Sequence, residues 1–288
     1  MSGMDAPAHV GVLGGGRMGA GIAHAFLLAG SRVSVVERDS ASADAAAERV
    51  HDSIRRSVDR DPLLDESALR ARLACGTEIA EFSECALVVE AVPEDRALKN
   101  EALSRAEGAM RDGAILASNT SSISIDDLAT SRARPGTFLG LHFFNPVPAS
   151  ALVEIVRGSA TRADAVETAR TWVQTLGKSP IVVRDSPGFA SSRLGVMLGL
   201  EAIRMLEEGV ASAADIDAAM TLGYRHPTGP LRTTDIVGLD VRLGIAEELA
   251  ATLGPRFEPP ALLRAMVADG KLGRKSGEGF YTWNEETR

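Results

Sequence analysis

His9-Val10-Gly11-Val12-Leu13-Gly14-Gly15-Gly16-Arg17-Met18-Gly19 is a β-prone run that passes directly into G-x-G-x-x-G, and Ala20–Ala29 continues it with helical character. In this strand–turn–helix setting each glycine has its own task. Gly14 permits the tight turn, Gly16 lets the backbone approach a pyrophosphate, and Gly19 allows the helix to pack closely on the strand. The helix start adds unpaired N–H groups and positive potential. A second strand-like run, Val33–Val36, ends at Glu37, about 20 residues beyond the loop, where a carboxylate accepts hydrogen bonds from an adenosine ribose. A Gly-rich turn that merely joins a strand to a helix is the plain alternative. Glu37 would also repel the 2′-phosphate of NADP, so NAD is the expected cofactor. Arg38 is the one neighbour able to accommodate that phosphate.

Working outward, further β-rich runs alternate with Ala-rich helical stretches: Ala86–Val92, Ala114–Ser118, Thr137–Phe144, Leu152–Val156 and Ile181–Val183. This alternation predicts βα units around a largely parallel sheet, an α/β fold of the Rossmann-like kind. After Asp185 the strand signals stop and amphipathic helices take over, beginning with Phe189–Leu206. Ser186-Pro187-Gly188 marks the boundary, because Pro and Gly disfavour continuing the strand and Pro suits a helix start. The expected domains are 1–185, a dinucleotide-binding sheet domain, and 186–288, an all-helical domain.

The 288 residues suffice for about two domains. With 45% hydrophobic and 24% charged residues, the composition is that of a globular protein without a long disordered tail. The balance of 31 Lys+Arg against 39 Asp+Glu, a formal charge of −8, argues against nucleic acid or anionic lipid as a partner. No apolar run approaches the ~20 residues that span a bilayer, and Met1–His9 lacks the pattern of a secretory leader. Cys75 and Cys85 show no metal-ligand spacing, so no metal and a cytoplasmic location are expected.

His142 is the most suggestive of the five histidines, lying in Phe138-Leu-Gly-Leu-His-Phe-Phe144. Glu154 interrupts Ala151-Leu-Val-Glu-Ile-Val156 in the same way. Burying either group unpaired costs several kcal/mol, so each calls for a partner. If the flanking strands pair antiparallel about Pro148 in the turn Asn145–Ser150, positions 142 and 154 fall opposite one another. A carboxylate on one imidazole nitrogen fixes the tautomer and leaves the other nitrogen to exchange a proton with substrate. Taken singly, His142 reads as a buried histidine satisfied by backbone and Glu154 as a strand-end residue facing water. Ala117-Ser-Asn-Thr-Ser-Ser122 should emerge at the carboxyl end of the sheet, where open α/β folds bind ligands; its plain reading is a turn that caps the next helix.

These residues together resemble the short, single-function 3-hydroxyacyl-CoA dehydrogenases, including 3-hydroxybutyryl-CoA dehydrogenases. The resemblance runs through Gly14–Ala23, Val88–Lys99, Ser118–Ser122, His142–Pro148, Leu152–Ile155, Asp185–Arg193, Gly229-Pro230, Asp235–Asp240 and Lys271–Tyr281. It implies NAD-linked interconversion of L-3-hydroxyacyl and 3-oxoacyl thioesters of CoA, and a helical domain that contributes a substrate cleft and forms a homodimer. The family's dyad matches His142 and Glu154, its substrate-orienting Ser matches Ser121, and its Asn beside the dyad matches Asn145. Glu94 and Lys99 match residues near the nicotinamide ribose, and Lys275 a C-terminal Lys that reaches the cofactor. Met18 and Asn119, within the matching motifs, complete the expected cofactor contacts. Ser53 and Arg60 match positions that touch the CoA nucleotide; read from the sequence alone, Arg55, Arg56 and Arg60 are a local positive cluster or a solvated helix face.

The chain departs from the family where Asn usually precedes Arg193: here Ser192 stands in that substrate-binding position. Ser is shorter and offers one hydroxyl in place of an amide. A hydroxyacyl thioester with an extra polar group, or one carried on an acyl-carrier protein, is therefore an alternative substrate. An NAD-binding protein without catalysis is the alternative of another class, although it would need no proton relay.

Overall fold

The computed structural model describes residues 6–283. The chain divides into two compact units, Met1–Ser186 and Pro187–Arg288.

The first unit is built on one eight-stranded sheet. Its strands are β1 (His9–Leu13), β2 (Arg32–Val36), β3 (Leu73–Gly76), β4 (Leu87–Glu90), β5 (Ile115–Ser118), β6 (Phe138–Phe143), β7 (Leu152–Arg157) and β8 (Ser179–Arg184). The spatial order is β3-β2-β1-β4-β5-β6-β7-β8. Neighbours from β3 through β6 are parallel, β6 and β7 are antiparallel, and β7 and β8 are parallel again. Strands buried on both faces read as continuous apolar runs, and β1, β4, β5 and β6 are buried at every position. The expected Rossmann-like, mostly parallel architecture is observed.

The helices of this unit are α1 (Arg17–Leu28), α2 (Ser40–Val58), α3 (Glu66–Ala71), α4 (Arg96–Ala109), α5 (Ile125–Ala129) and α6 (Ala163–Thr175). α1 is buried without interruption from Gly19 to Leu27, which accounts for its nearly all-apolar composition. Its side chains join Val10, Val12, Val33, Val35 and Leu87 in the core. α2 starts where the Asp39 carboxylate accepts the Ser42 N–H at 2.7 Å, a side-chain N-cap. It is longer than the Ala-rich stretch 41–50 suggests, running on to Val58.

β3 has no counterpart among the expected strands. Ala74, Cys75 and Gly76 are only half-buried at the sheet edge, so they carry no apolar run that would betray a strand. β8 is the opposite edge, and its Ile181 and Val182 are each 37% exposed.

The second unit contains α7 (Ser191–Glu207), α8 (Ala213–Ala218), α9 (Pro230–Val237), α10 (Leu239–Leu253) and α11 (Ala261–Ala268). Val196, Leu200, Ile203, Leu231, Leu249 and Leu263 form its own core. The C-terminal segment is held by Asp235, which is fully buried. Its carboxylate accepts the N–H groups of Phe280 and Tyr281 and the Trp283 indole N–H, at 2.9, 3.0 and 2.8 Å. α7 begins later than the apolar pattern suggests, because Phe189 has φ +50° and lies outside the helix.

Candidate active site

The crevice at the carboxyl ends of β1, β4, β5 and β6 is a cavity of about 1040 Å³. Its floor is the glycine loop. Gly14 follows β1 with φ +93°, a left-handed conformation that favours glycine, and its N–H donates to the Val36 carbonyl at 2.9 Å. A Cβ on Gly19 would stand 1.8 Å from the Gly14 carbonyl oxygen, so α1 could not approach the turn. A Cβ on Gly16 would meet nothing within 4 Å, leaving room for a ligand against the backbone. Gly15, an unspecified position of the motif, is also constrained: a Cβ there would lie 2.3 Å from the Ala46 Cβ of α2.

Glu37 stands at the end of β2, where its Oε1 accepts the Gly15 N–H at 2.7 Å and its Oε2 the Arg38 N–H at 3.2 Å. Arg38 lines the same cavity, its guanidinium 84% exposed and paired with Asp39. The loop, the open side of Gly16, the α1 N-terminus and a carboxylate beside the loop together fit the pyrophosphate and ribose of a dinucleotide.

Along the opposite wall, His142 and Glu154 are register partners across β6 and β7. His142 Nδ1 lies 2.8 Å from Glu154 Oε2, with the histidine 6% and the glutamate 0% exposed. The Phe144 ring packs 4.4 Å from the imidazole, centroid to centroid. His142 lines the cavity and Glu154 lies behind it. The strands are joined by the turn at 144–151, and their paired positions are symmetric about Pro148.

Glu94 organises the third wall. Its Oε1 accepts the Thr120 hydroxyl at 2.6 Å and the N–H groups of Ser121 and Ser122 at 3.0 and 3.2 Å. Burial pushes its carboxyl up, but the Lys99 charge, the Thr120 hydroxyl and the Ser121 N–H outweigh that and hold it below the usual carboxylate range. Lys99 is 1% exposed. Its ammonium faces Glu90 Oε1 at 2.7 Å, the Val92 carbonyl at 3.1 Å and Glu94 Oε2 at 3.2 Å. Glu90 Oε2 accepts the Ser118 hydroxyl at 2.6 Å. Lys99 is thus committed to protein oxygens, and it orders Glu94 and the serine turn. Sequence reasoning passed over Glu90, although it lies in the quoted motif, because one acid at a strand end gives no sign of a buried partner nine residues away.

Of the anticipated residues, Gly14, Gly16, Met18, Glu37, Glu94, Lys99, Asn119, Ser121, His142 and Asn145 all line this cavity, and Gly19 lies beneath the loop. The Asn119 amide oxygen accepts the Phe143 N–H at 2.9 Å, tying the end of β5 to β6. Ser53 and Arg60 instead line an adjoining cavity of about 450 Å³ with Arg56 and His24, and Arg17, Arg49 and Asn145 border both cavities. Ser192 and Lys275 belong to the second unit. Ser192 lies in the first turn of α7, and the Lys275 ammonium pairs with Asp240 Oδ2 at 2.5 Å.

The sequence pattern of the 3-hydroxyacyl-CoA dehydrogenase NAD binding domain matches residues 9–186, and that of the 3-hydroxyacyl-CoA dehydrogenase C-terminal domain matches residues 188–283. The chain belongs to the 3-hydroxyacyl-CoA dehydrogenase family. Its first unit carries that family's NAD-binding domain, and the chain is an NAD-dependent oxidoreductase. A 3-hydroxybutyryl-CoA dehydrogenase of Mycobacterium tuberculosis is 42% identical over 284 residues, covering 97% of this chain and 99% of that one. A probable 3-hydroxybutyryl-CoA dehydrogenase of Deinococcus radiodurans is 40% identical over 275 residues, 95% of this chain and 99% of its own. The crystal structure of (S)-3-hydroxybutyryl-CoA dehydrogenase from Ralstonia eutropha superposes with a TM-score of 0.92 at 39% identity, covering 97% of this chain and all of that one. Among the described residues of this family member, no group of three or more His, Cys, Asp or Glu could hold a metal ion. No described helix is long and apolar enough to cross a membrane.

Proposed function

We propose that the chain interconverts short-chain L-3-hydroxyacyl-CoA and 3-oxoacyl-CoA, 3-hydroxybutyryl-CoA and acetoacetyl-CoA being representative, with His142 and Glu154 as the acid/base dyad. The single observation that carries this reading is the 2.8 Å contact between His142 Nδ1 and a fully buried Glu154 carboxylate, on the wall of the cavity that also holds the glycine loop.

Held by the glycine loop and Glu37, NAD would supply the hydride chemistry at substrate C3 in either direction. In oxidation, His142 takes the 3-hydroxyl proton through Nε2, while Glu154 keeps the ring oriented and stabilises the imidazolium that forms. In reduction His142 gives the proton back. Ser121 and Asn145 hold the reacting oxygen and the thioester in line, a contribution of orientation. The Glu94 carboxylate fixes the Ser121 backbone from which that hydroxyl projects. Glu37 receives the adenosine ribose, with Met18, Asn119 and Lys275 as further cofactor contacts.

The four arginines around the 450 Å³ cavity, with Ser53, supply the local positive charge that an otherwise acidic protein needs for the CoA nucleotide. Ser192, on α7, borders the acyl group. The helical unit forms a homodimer, and the protein acts in the cytoplasm. NADH oxidation with acetoacetyl-CoA tests the reading directly. Turnover that disappears in His142→Ala supports it, and a wild-type protein inert toward every 3-oxoacyl thioester refutes it. Ser192 in place of the family's Asn favours one second reading, a thioester with a polar substituent or on a carrier protein, which a panel of acyl-CoA and acyl-carrier-protein substrates separates.

A further inference from the structure

The turn at 144–151 carries Asn145, which lines the crevice with His142 and also borders the arginine-lined cavity. Asn145 is exposed, so its aim depends on the backbone that bears it. That backbone has few means of fixing itself. Pro146 and Pro148 bring no N–H donor, and the N–H groups of Ala149 and Ser150 both donate to one acceptor, the Pro146 carbonyl, at 3.0 and 3.1 Å. The turn is clamped by other elements instead. Val147, 2% exposed, is seated against α1, where Gly21 makes room for it: a Cβ there would lie 2.9 Å from the Val147 Cβ. The second clamp is Lys178, whose ammonium donates to the Val147 and Ser150 carbonyls at 2.6 Å each.

Lys178 follows α6 and immediately precedes β8, whose Ser179 is the register partner of Leu152 at the start of β7. That pairing brings the lysine beside the turn. Lys178 is 9% exposed, and burial pulls its ammonium below the usual lysine range with no carboxylate of the described residues to oppose the shift. Burying a charge without a counter-ion is costly, and an apolar residue would fill the space without that cost. What the ammonium adds is a pair of charge-assisted bonds to carbonyls on either side of Pro148. Lys178 lines neither cavity, so its influence on a ligand passes through the turn.

We propose that Lys178 is a positioning residue for the dehydrogenase reaction, fixing the 144–151 turn so that Asn145 meets the substrate beside His142. The inference rests on the reading that the thioester reacts in the crevice at His142. A group held slightly out of place by a change outside the site can cost two orders of magnitude in rate, and Asn145 has the Lys178 clamp two and five residues away, at Val147 and Ser150.

The test measures reduction of acetoacetyl-CoA by wild type, Lys178→Met, Lys178→Arg, Asn145→Ala and the double variant Asn145→Ala/Lys178→Met, with active sites counted by NADH fluorescence titration. Per NADH-binding site, Lys178→Met should lower kcat/KM for acetoacetyl-CoA by roughly 10- to 100-fold, while NADH affinity stays that of the wild type. Lys178→Arg keeps a charged pair of donors and should recover much of the loss. Because the lysine works through Asn145, the double variant should be no worse than Asn145→Ala alone. Lys178→Gln carries the same comparison where Lys178→Met does not fold. Wild-type kcat/KM in the neutral variant, or losses that multiply in the double variant, would overturn the inference and leave the dehydrogenase reading standing. A fall in NADH affinity as large as the fall in kcat/KM would also overturn it, making Lys178 a general support of the fold. A wild type inert toward all 3-oxoacyl thioesters removes both readings.

Discussion

Lys99 Nζ lies 2.7 Å from Glu90 Oε1, with the two side chains 1% and 0% exposed. Such a pair is weak evidence for stability in itself, but removing one partner strands a buried charge. Lys99→Met should therefore destabilise the protein by about 3–5 kcal/mol, measured as a lower urea midpoint. The double variant Glu90→Gln/Lys99→Met should recover a large part of that loss. Equal losses in the single and double variants would show that the two charges are not coupled.

The same lysine holds Glu94, which in turn holds the backbone of Ser121. Glu94→Ala removes the acceptor for the Thr120 hydroxyl and for two N–H groups of the serine turn. The expected outcome is a fall in kcat for acetoacetyl-CoA reduction by roughly 10- to 100-fold, while the circular dichroism spectrum stays native. A variant with wild-type kcat would mean that the turn is ordered without Glu94.

For the dyad, His142→Ala should lower kcat by about 10²–10⁴, with NADH affinity kept when followed by fluorescence titration. Glu154→Gln preserves shape but cannot stabilise an imidazolium as a carboxylate does, so it should lower kcat in the same direction and alter the pH profile. An unchanged rate and profile in Glu154→Gln would reduce Glu154 to a packing residue.

How far the site could be read from the sequence depended on how local each signal was. The glycine loop and Glu37 belong to one βαβ unit, and the pairing of His142 with Glu154 follows from a single turn centred on Pro148. The observed register sets those two residues opposite each other. Partners that come from distant segments left no such trace. Gly15 must be glycine because Ala46 of α2 presses on it. Glu90 is satisfied by Lys99 and Ser118. Asn119, expected as a cofactor contact, has its amide oxygen on a neighbouring strand. β3 escaped notice because an edge strand of Leu-Ala-Cys-Gly needs no apolar alternation.

Glu37 also governs the choice of cofactor. Its carboxylate sits at the loop, accepting the Gly15 N–H, where a 2′-phosphate would meet like charge. The kcat/KM for NAD should exceed that for NADP, and Glu37→Gln should narrow the ratio by roughly tenfold or more, because it removes the repulsion while Arg38 remains nearby. Equal efficiencies in the wild type would separate Glu37 from cofactor choice.

His24 provides a pH-dependent test of the fold at the arginine-lined cavity. It is 1% exposed, and burial, with Arg56 adding to it, pulls the imidazole down to about 4. Its Nε2 lies 3.0 Å from the Ser57 hydroxyl, while Nδ1 is buried with no partner among the described residues. The unfolded chain binds a proton on this residue near pH 6.5 and the folded chain does not, so protonation favours unfolding. The stability it contributes is complete above pH 6.5 and is lost as the pH falls from about 6.5 through about 4. The loss from this one group is on the order of 3 kcal/mol. Burial also pulls His9 and His51 down, so the informative quantity is the difference in urea stability between wild type and His24→Gln at pH 7.5 and pH 4.5. The wild type should lose more stability than the variant over that interval; parallel losses would show that the buried imidazole takes up its proton without opening the structure.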